Sequence, residues 1–143
     1  MGHAMDNTEV VKKFLTAQYA GKIDEAFDMY AHDQFTWVVG SKDNGDLKSQ
    51  IPWAGYKHKG KDGYKTLTGM LYGEYDSQKF ETHHFSEAAG KVFVEGNFVF
   101  KHRVTGKIVD SDFVAVFKMR DGKISGGQFF ENTAGVAAAR IKS

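Results

Sequence analysis

Lys91-Val92-Phe93-Val94-Glu95-Gly96-Asn97-Phe98-Val99-Phe100-Lys101-His102-Arg103-Val104 is the stretch on which the fold of this chain turns. Its period-two alternation sets Gly96, Phe98, Phe100 and His102 on one face and Glu95, Asn97, Val99 and Lys101 on the other. That is a half-buried strand. Similar runs lie near 79–88, 107–119 and 123–131, joined through Ala88-Ala89-Gly90, Thr105-Gly106 and Asp121-Gly122. Gly-containing connections of this length are hairpin signals, so the C-terminal half reads as an antiparallel meander.

Upstream of the meander the period changes. Asp6 and Glu9 have the spacing of a capping box, Val10, Val11, Phe14, Leu15 and Tyr19 recur at helical spacing, and Gly21 sits where a helix-terminating glycine belongs. Asp24 is a candidate cap for a second helix with Phe27, Tyr30 and Ala31 on its inner face. A first strand spans 33–39. Asp62 is a candidate cap for a third helix carrying Tyr64, Leu67, Met70 and Leu71. Between strand and helix, Gly40 to Gly60 holds the only proline, Pro52, and reads as a long functional or mobile loop. Three helices followed by most of a sheet predict an α+β fold, a bent, mostly antiparallel sheet around helices.

Composition narrows the possibilities. With 143 residues, 41% hydrophobic and 14% aromatic, the chain has enough apolar material for one packed domain. The formal net charge is +1 without a run of like charges, which predicts neither a nucleic-acid nor a membrane partner. Absence of cysteine excludes disulfides, zinc–thiolate sites and thiol nucleophiles. Met1-Gly2-His3-Ala4-Met5 reads as an expression-vector remnant, leaving 6–143 as a single domain. With no apolar leader segment in view, the expected location is cytoplasmic.

The layout resembles the SnoaL-like branch of the NTF2-like superfamily, which includes ketosteroid isomerase. The marks are Ala20-Gly21-Lys22-Ile23-Asp24 between two helices, Asp33 followed by Trp37, and Pro52-Trp53-Ala54-Gly55. Further marks are Lys59-Gly60, Thr105-Gly106, Arg120-Asp121-Gly122-Lys123-Ile124 and Phe130-Glu131-Asn132-Thr133. The resemblance implies a cone-shaped α+β barrel around an apolar pocket and a homodimer through the outer sheet face. It does not imply one reaction, since the fold carries isomerases, cyclases, dehydratases and proteins without chemistry. It also aligns Phe14, Val38 and Ala115 with the three catalytic positions of ketosteroid isomerase. All three are apolar here, so that apparatus is missing, and they are expected to line the pocket.

The same comparison makes Phe98 and Phe100 an aromatic pocket wall ending in His102. A histidine desolvated beside such a wall stays neutral and can act as a base, which makes His102 the first catalytic candidate. The plainer alternative is a histidine satisfied by backbone or water at the barrel mouth. Glu131 is its candidate partner, and Tyr30 a candidate donor to a ligand carbonyl. The facing of the last strand stays open. Anchoring on Lys123-Ile124 turns Phe129 and Glu131 inward, whereas a strict two-residue turn at Asp121-Gly122 turns Gln128, Phe130 and Asn132 inward. Trp37 is expected to pack rather than to touch ligand. His83 is favoured over His84 to reach the pocket, since neighbours on a strand point to opposite faces and no metal pair is expected. His58 could come over a ligand from the long loop. No metal or cofactor is required. The expected ligand is a small, apolar or aromatic, carbonyl-bearing molecule, turned over by acid–base chemistry or simply captured; an interaction module is the third reading. Val99, Val114 and Val116 on the outer face suggest the homodimer.

Overall fold

The computed structural model describes residues 5–142, so the leading segment 1–4 lies outside the described residues. Eleven elements follow in chain order: α1 (Asn7–Tyr19), α2 (Ile23–Tyr30), β1 (Ala31–Val39), α3 (Gly45–Gln50), β2 (Lys57–Lys59), α4 (Gly60–Glu74), β3 (Tyr75–Ala88), β4 (Lys91–His102), β5 (Ile108–Arg120), β6 (Lys123–Phe130) and α5 (Thr133–Ala139). One six-stranded sheet runs β2-β1-β6-β5-β4-β3. Only β1 and β6 are parallel. The sheet stays open: β2 and β3 are its two edges rather than partners in a closed barrel. The architecture is α+β, a bent, mostly antiparallel sheet packed against helices. No helix among the described residues is long and apolar enough to cross a membrane.

Local chemistry accounts for most boundaries. The Asp6 carboxylate caps α1 by accepting from the Glu9 N–H at 2.8 Å, and Gly21 ends it at φ 82°. Asp24 is not a cap. It lies inside α2 and pairs with Lys65 at 2.7 Å across to α4. Likewise α4 starts at Gly60, before Asp62. The segment 40–60 is not an open loop. Asn44 caps α3 by accepting from the Leu47 N–H, and Ile51, Trp53 and Ala54 are buried, which fastens the segment to the core. The described residues therefore form five helices where the pattern predicted three; α3 and α5 are too short for periodicity to reveal.

A single irregularity settles the facing of the last strand. Asp121 and Gly122 both have positive φ, as a two-residue hairpin turn requires. Four residues on, Met119 pairs with Ile124 but Lys118 pairs with Gly126, so Ser125 is an extra residue on β6. This bulge reverses the alternation. Ile124 points inward before it, and Gly127, Phe129 and Glu131 point inward after it. Phe129 and Glu131 therefore face the interior, as anchoring on Lys123-Ile124 predicted; the strict two-residue turn is present, but the bulge after it keeps Gln128, Phe130 and Asn132 off the cavity wall.

Candidate active site

The inward faces of α1, α4, β1 and β4–β6 leave a cavity of about 80 Å³, more than one ordered water needs. Phe98, Phe100, Ala115, Phe129 and Glu131 line it, as do Trp37, Trp53, Tyr64, Tyr72 and Tyr75. The wall is predominantly aromatic. Phe113 stacks on Phe129 at 4.8 Å and Phe98 packs on Phe100 at 4.5 Å between ring centroids.

Its polar groups are few. The Tyr64 hydroxyl donates to Gln18 Oε1 at 3.0 Å. That of Tyr75 donates to the Val136 carbonyl at 2.6 Å. Burial pushes Tyr64 up, and pushes Tyr72 and Tyr75 up to about 12, so all three stay protonated at neutral pH. Glu131 is different. Its half-buried carboxyl makes no hydrogen bond among the described residues, and desolvation pushes it up to about 7. A carboxyl at that value divides between acid and base at neutral pH, which is what general acid–base work demands.

His102 has another job. It lies on the predicted face of β4, but past the end of the cavity. Nδ1 accepts from the Val104 and Thr105 N–H groups, each at 3.2 Å, so Nε2 carries the hydrogen and donates to Glu74 Oε1 at 3.1 Å. With both nitrogens engaged, no lone pair is free for a substrate. Glu74 also accepts from Arg140 Nε at 2.7 Å and Nη2 at 3.2 Å, which ties the end of α5 to α4 and β4. Burial alone would raise the Glu74 carboxyl; the hydrogen bonds from Arg140 and His102 outweigh it and hold the group below its ordinary value.

The other sequence candidates lie outside the cavity wall. Phe14 sits behind it, edge-on to Phe27 at 5.6 Å and Tyr64 at 5.9 Å. Tyr30 borders a surface groove beside Lys12 and Met29. Val38 is buried on the opposite face of β1 from Trp37 and Val39, because alternation sends odd-numbered residues of that strand inward. His58 holds the cavity wall in place instead of covering a ligand: Nε2 lies 2.7 Å from the Trp53 carbonyl, and burial lowers its pKa. His83 falls at a break in the β3–β4 register between Thr82 and His84 and turns outward, 3.3 Å from Glu81.

Sequence reasoning missed Gln18, Trp37, Trp53, Tyr72 and Tyr75 as wall residues. For Gln18 a signal existed: it continues the Val11, Phe14 stripe at helical spacing, and a polar residue on a buried stripe calls for a reason.

A family model for the SnoaL-like domain matches residues 11–126. The chain belongs to the SnoaL-like family. Among solved structures, this SnoaL-like chain is similar to an NTF2-like protein from Burkholderia thailandensis, 20% identical over 96% of this chain and 98% of that one, TM-score 0.80. An NTF2-like protein from Burkholderia xenovorans is 18% identical over 94% and 95%, TM-score 0.77. TerC, co-crystallised with polyporic acid, is 19% identical over 93% and 96%, TM-score 0.75. These likenesses establish the fold of the SnoaL-like chain. No curated protein matches it.

Proposed function

We propose that this SnoaL-like protein binds a small, flat, largely apolar carbonyl compound in the aromatic cavity and moves one proton on it, with Glu131 as the acid–base group. The observation that carries the reading is the Glu131 carboxyl, unpartnered and desolvated at the edge of an aromatic wall. Isomerisation, aldol-type cyclisation and dehydration each need such a group, and the TerC complex with polyporic acid is in keeping with a small-molecule ligand in this fold. His102 and Tyr30 leave the catalytic assignment, and Glu131 stays in it. Exchange of the acetophenone methyl protons in D2O, followed by proton NMR, tests the chemistry. The expected result is protein-dependent exchange that rises as pH passes about 7, where the carboxylate base form takes over, and that disappears in Glu131→Gln. Equal exchange in that variant would refute the assignment.

A second reading is capture without catalysis. It draws on the internal hydrogen bonds of Tyr64 and Tyr75, which leave Tyr72 as the one wall tyrosine whose hydroxyl has no partner among the described residues, and burial holds that hydroxyl protonated at neutral pH. It predicts ligand binding with no protein-dependent proton exchange on either side of pH 7, in wild type as in Glu131→Gln.

The outer sheet face supports a homodimer. Val114 and Phe130 are 41% and 45% exposed there, side by side on paired strands, and a self-complementary patch is closed by a two-fold axis.

A further inference from the structure

The cavity has polar borders on two sides. Glu131 also borders a groove on the outer sheet face with His83, Asp112 and Val114. Gln18, Thr68 and Tyr72 border a different groove, between α1 and α4, which includes Tyr19, Gly69 and Ser77. No residue is common to the two grooves. The cavity thus lies between a carboxyl on the sheet side and a polar partition on the helix side.

That partition offers donors. Gln18 Oε1 is taken by the Tyr64 hydroxyl, which leaves the Nε2 hydrogens of the same amide without a partner among the described residues. The Tyr72 hydroxyl also lacks one, and it stays protonated because burial pushes its pKa up to about 12. Neither atom is sealed away from solvent, since no fully buried side-chain polar atom goes unpaired among the described residues. The Thr68 hydroxyl, by contrast, is spent on the Tyr64 carbonyl at 3.1 Å. Two free donors on residues that border both the cavity and the groove will prefer an acceptor oxygen to a hydrocarbon of the same shape, because ordering a donor against hydrocarbon forfeits its bond to water.

We infer that Gln18 Nε2 and the Tyr72 hydroxyl form an anchoring subsite for an acceptor oxygen, a carbonyl, phenolate or carboxylate, of a ligand that enters through the α1–α4 groove. The inference rests on the cavity being the ligand site, as proposed above, and is independent of any chemistry at Glu131. It assigns the substrate a polarity: oxygen toward the helices, reacting carbon toward the sheet. Gly69 lines that groove and a Cβ built there meets nothing within 4 Å, so a large side chain at this position would narrow the groove without disturbing the helix.

Trp37 and Trp53 are the only tryptophans and both line the cavity, so their two indole N–H signals report occupancy directly. Acetophenone and ethylbenzene, alike in shape and differing in the oxygen, are titrated against the protein. Wild type is expected to bind acetophenone roughly tenfold more tightly, the worth of one or two net hydrogen bonds. Tyr72→Phe removes one donor, and Gln18→Glu removes the other while keeping the acceptor for Tyr64. Each should cut the preference several-fold. Gly69→Phe should slow association of both compounds. No oxygen preference in wild type, a preference that survives both donor variants, or one lost only in Glu131→Gln would overturn the subsite. Unslowed association in Gly69→Phe would overturn the entrance. Failure of proton exchange with the preference intact would instead fault the Glu131 chemistry alone.

Discussion

Replacing Glu131 by glutamine should make the protein more stable, but only above a particular pH. The folded state holds this carboxyl near 7 against an ordinary value of 4.5, so the native protein binds its proton more tightly than the unfolded chain does. Below about pH 4.5 both states are protonated and the residue contributes no pH-dependent term. Between about 4.5 and 7 the unfolded chain ionises first, and each pH unit costs the native state about 1.4 kcal/mol. Above about 7 both states are ionised and the full penalty, roughly 3 kcal/mol, persists. Glutamine copies the shape and neutrality of the protonated acid. The variant should therefore match wild type at pH 4 and exceed it by roughly 3 kcal/mol at pH 9. With an unfolding entropy of about 2.1 cal/mol/K per residue, that is about 10 °C in Tm. Urea titrations followed by the fluorescence of Trp37 and Trp53, both buried, measure it at the two pH values. A difference that is the same at pH 4 and pH 9 would show that Glu131 is solvated in the native state. The acid–base reading would go with it.

Arg140→Ala should cost about 2–3 kcal/mol at neutral pH, because it removes two charge-assisted hydrogen bonds to Glu74 and one to the Gln50 carbonyl. Glu74 is held low in the folded state, so the wild-type advantage should be full above the unfolded carboxyl value and shrink as pH falls below it; a pH series of urea midpoints checks this. Gly96→Ala should destabilise by about 1–3 kcal/mol, read by thermal denaturation, since its Cβ would strike the Glu81 carbonyl and sit 2.6 Å from the Phe113 ring. Sedimentation should find a dimer at micromolar concentration that Val114→Glu converts to monomer; a monomeric wild type would remove the case for the outer face as an interface.

The fold was legible where pattern is strong and long. Alternation along β4 and the helical stripe of α1 place their residues on the observed faces, and the Asp6 cap and Gly21 stop fall where expected. Short elements were not. The six residues of α3 and seven of α5 complete too few turns for a period to emerge, and their caps, Asn44 and Asn132, look in sequence like ordinary loop residues. β2 spans three residues and exists because β1 offers it an edge, which is a tertiary fact. The open sheet belongs to the same class, since closure depends on whether the two edge strands meet.

The site divides along a related line. Alternation states which way a side chain points but not how far along the strand the cavity extends, and His102 points correctly while lying beyond the end. Its Nδ1 is taken locally by the Val104 and Thr105 N–H groups, but its Nε2 is held by Glu74 from α4, which Arg140 beyond α5 fixes in turn, and neither of those is signalled by anything near residue 102. Glu131 is the converse case. Its direction depends on the parity of β6, and parity is changed by one inserted residue whose only advance notice is the pair Gly126-Gly127. Those glycines are required where the strand bends. A Cβ on Gly126 would collide with the Thr36 carbonyl, and one on Gly127 would strike both the Val116 carbonyl and, at 2.6 Å, the Trp37 ring. The bulge thus brings two neighbouring strands within backbone distance of β6 and, by reversing its alternation, turns a carboxyl into an aromatic wall that a regular strand would have left to Phe130. A glycine pair in a strand a few residues before an acidic residue is therefore worth reading as a change of face, and here that change is what gives the cavity wall a carboxyl that desolvation pushes up to about 7.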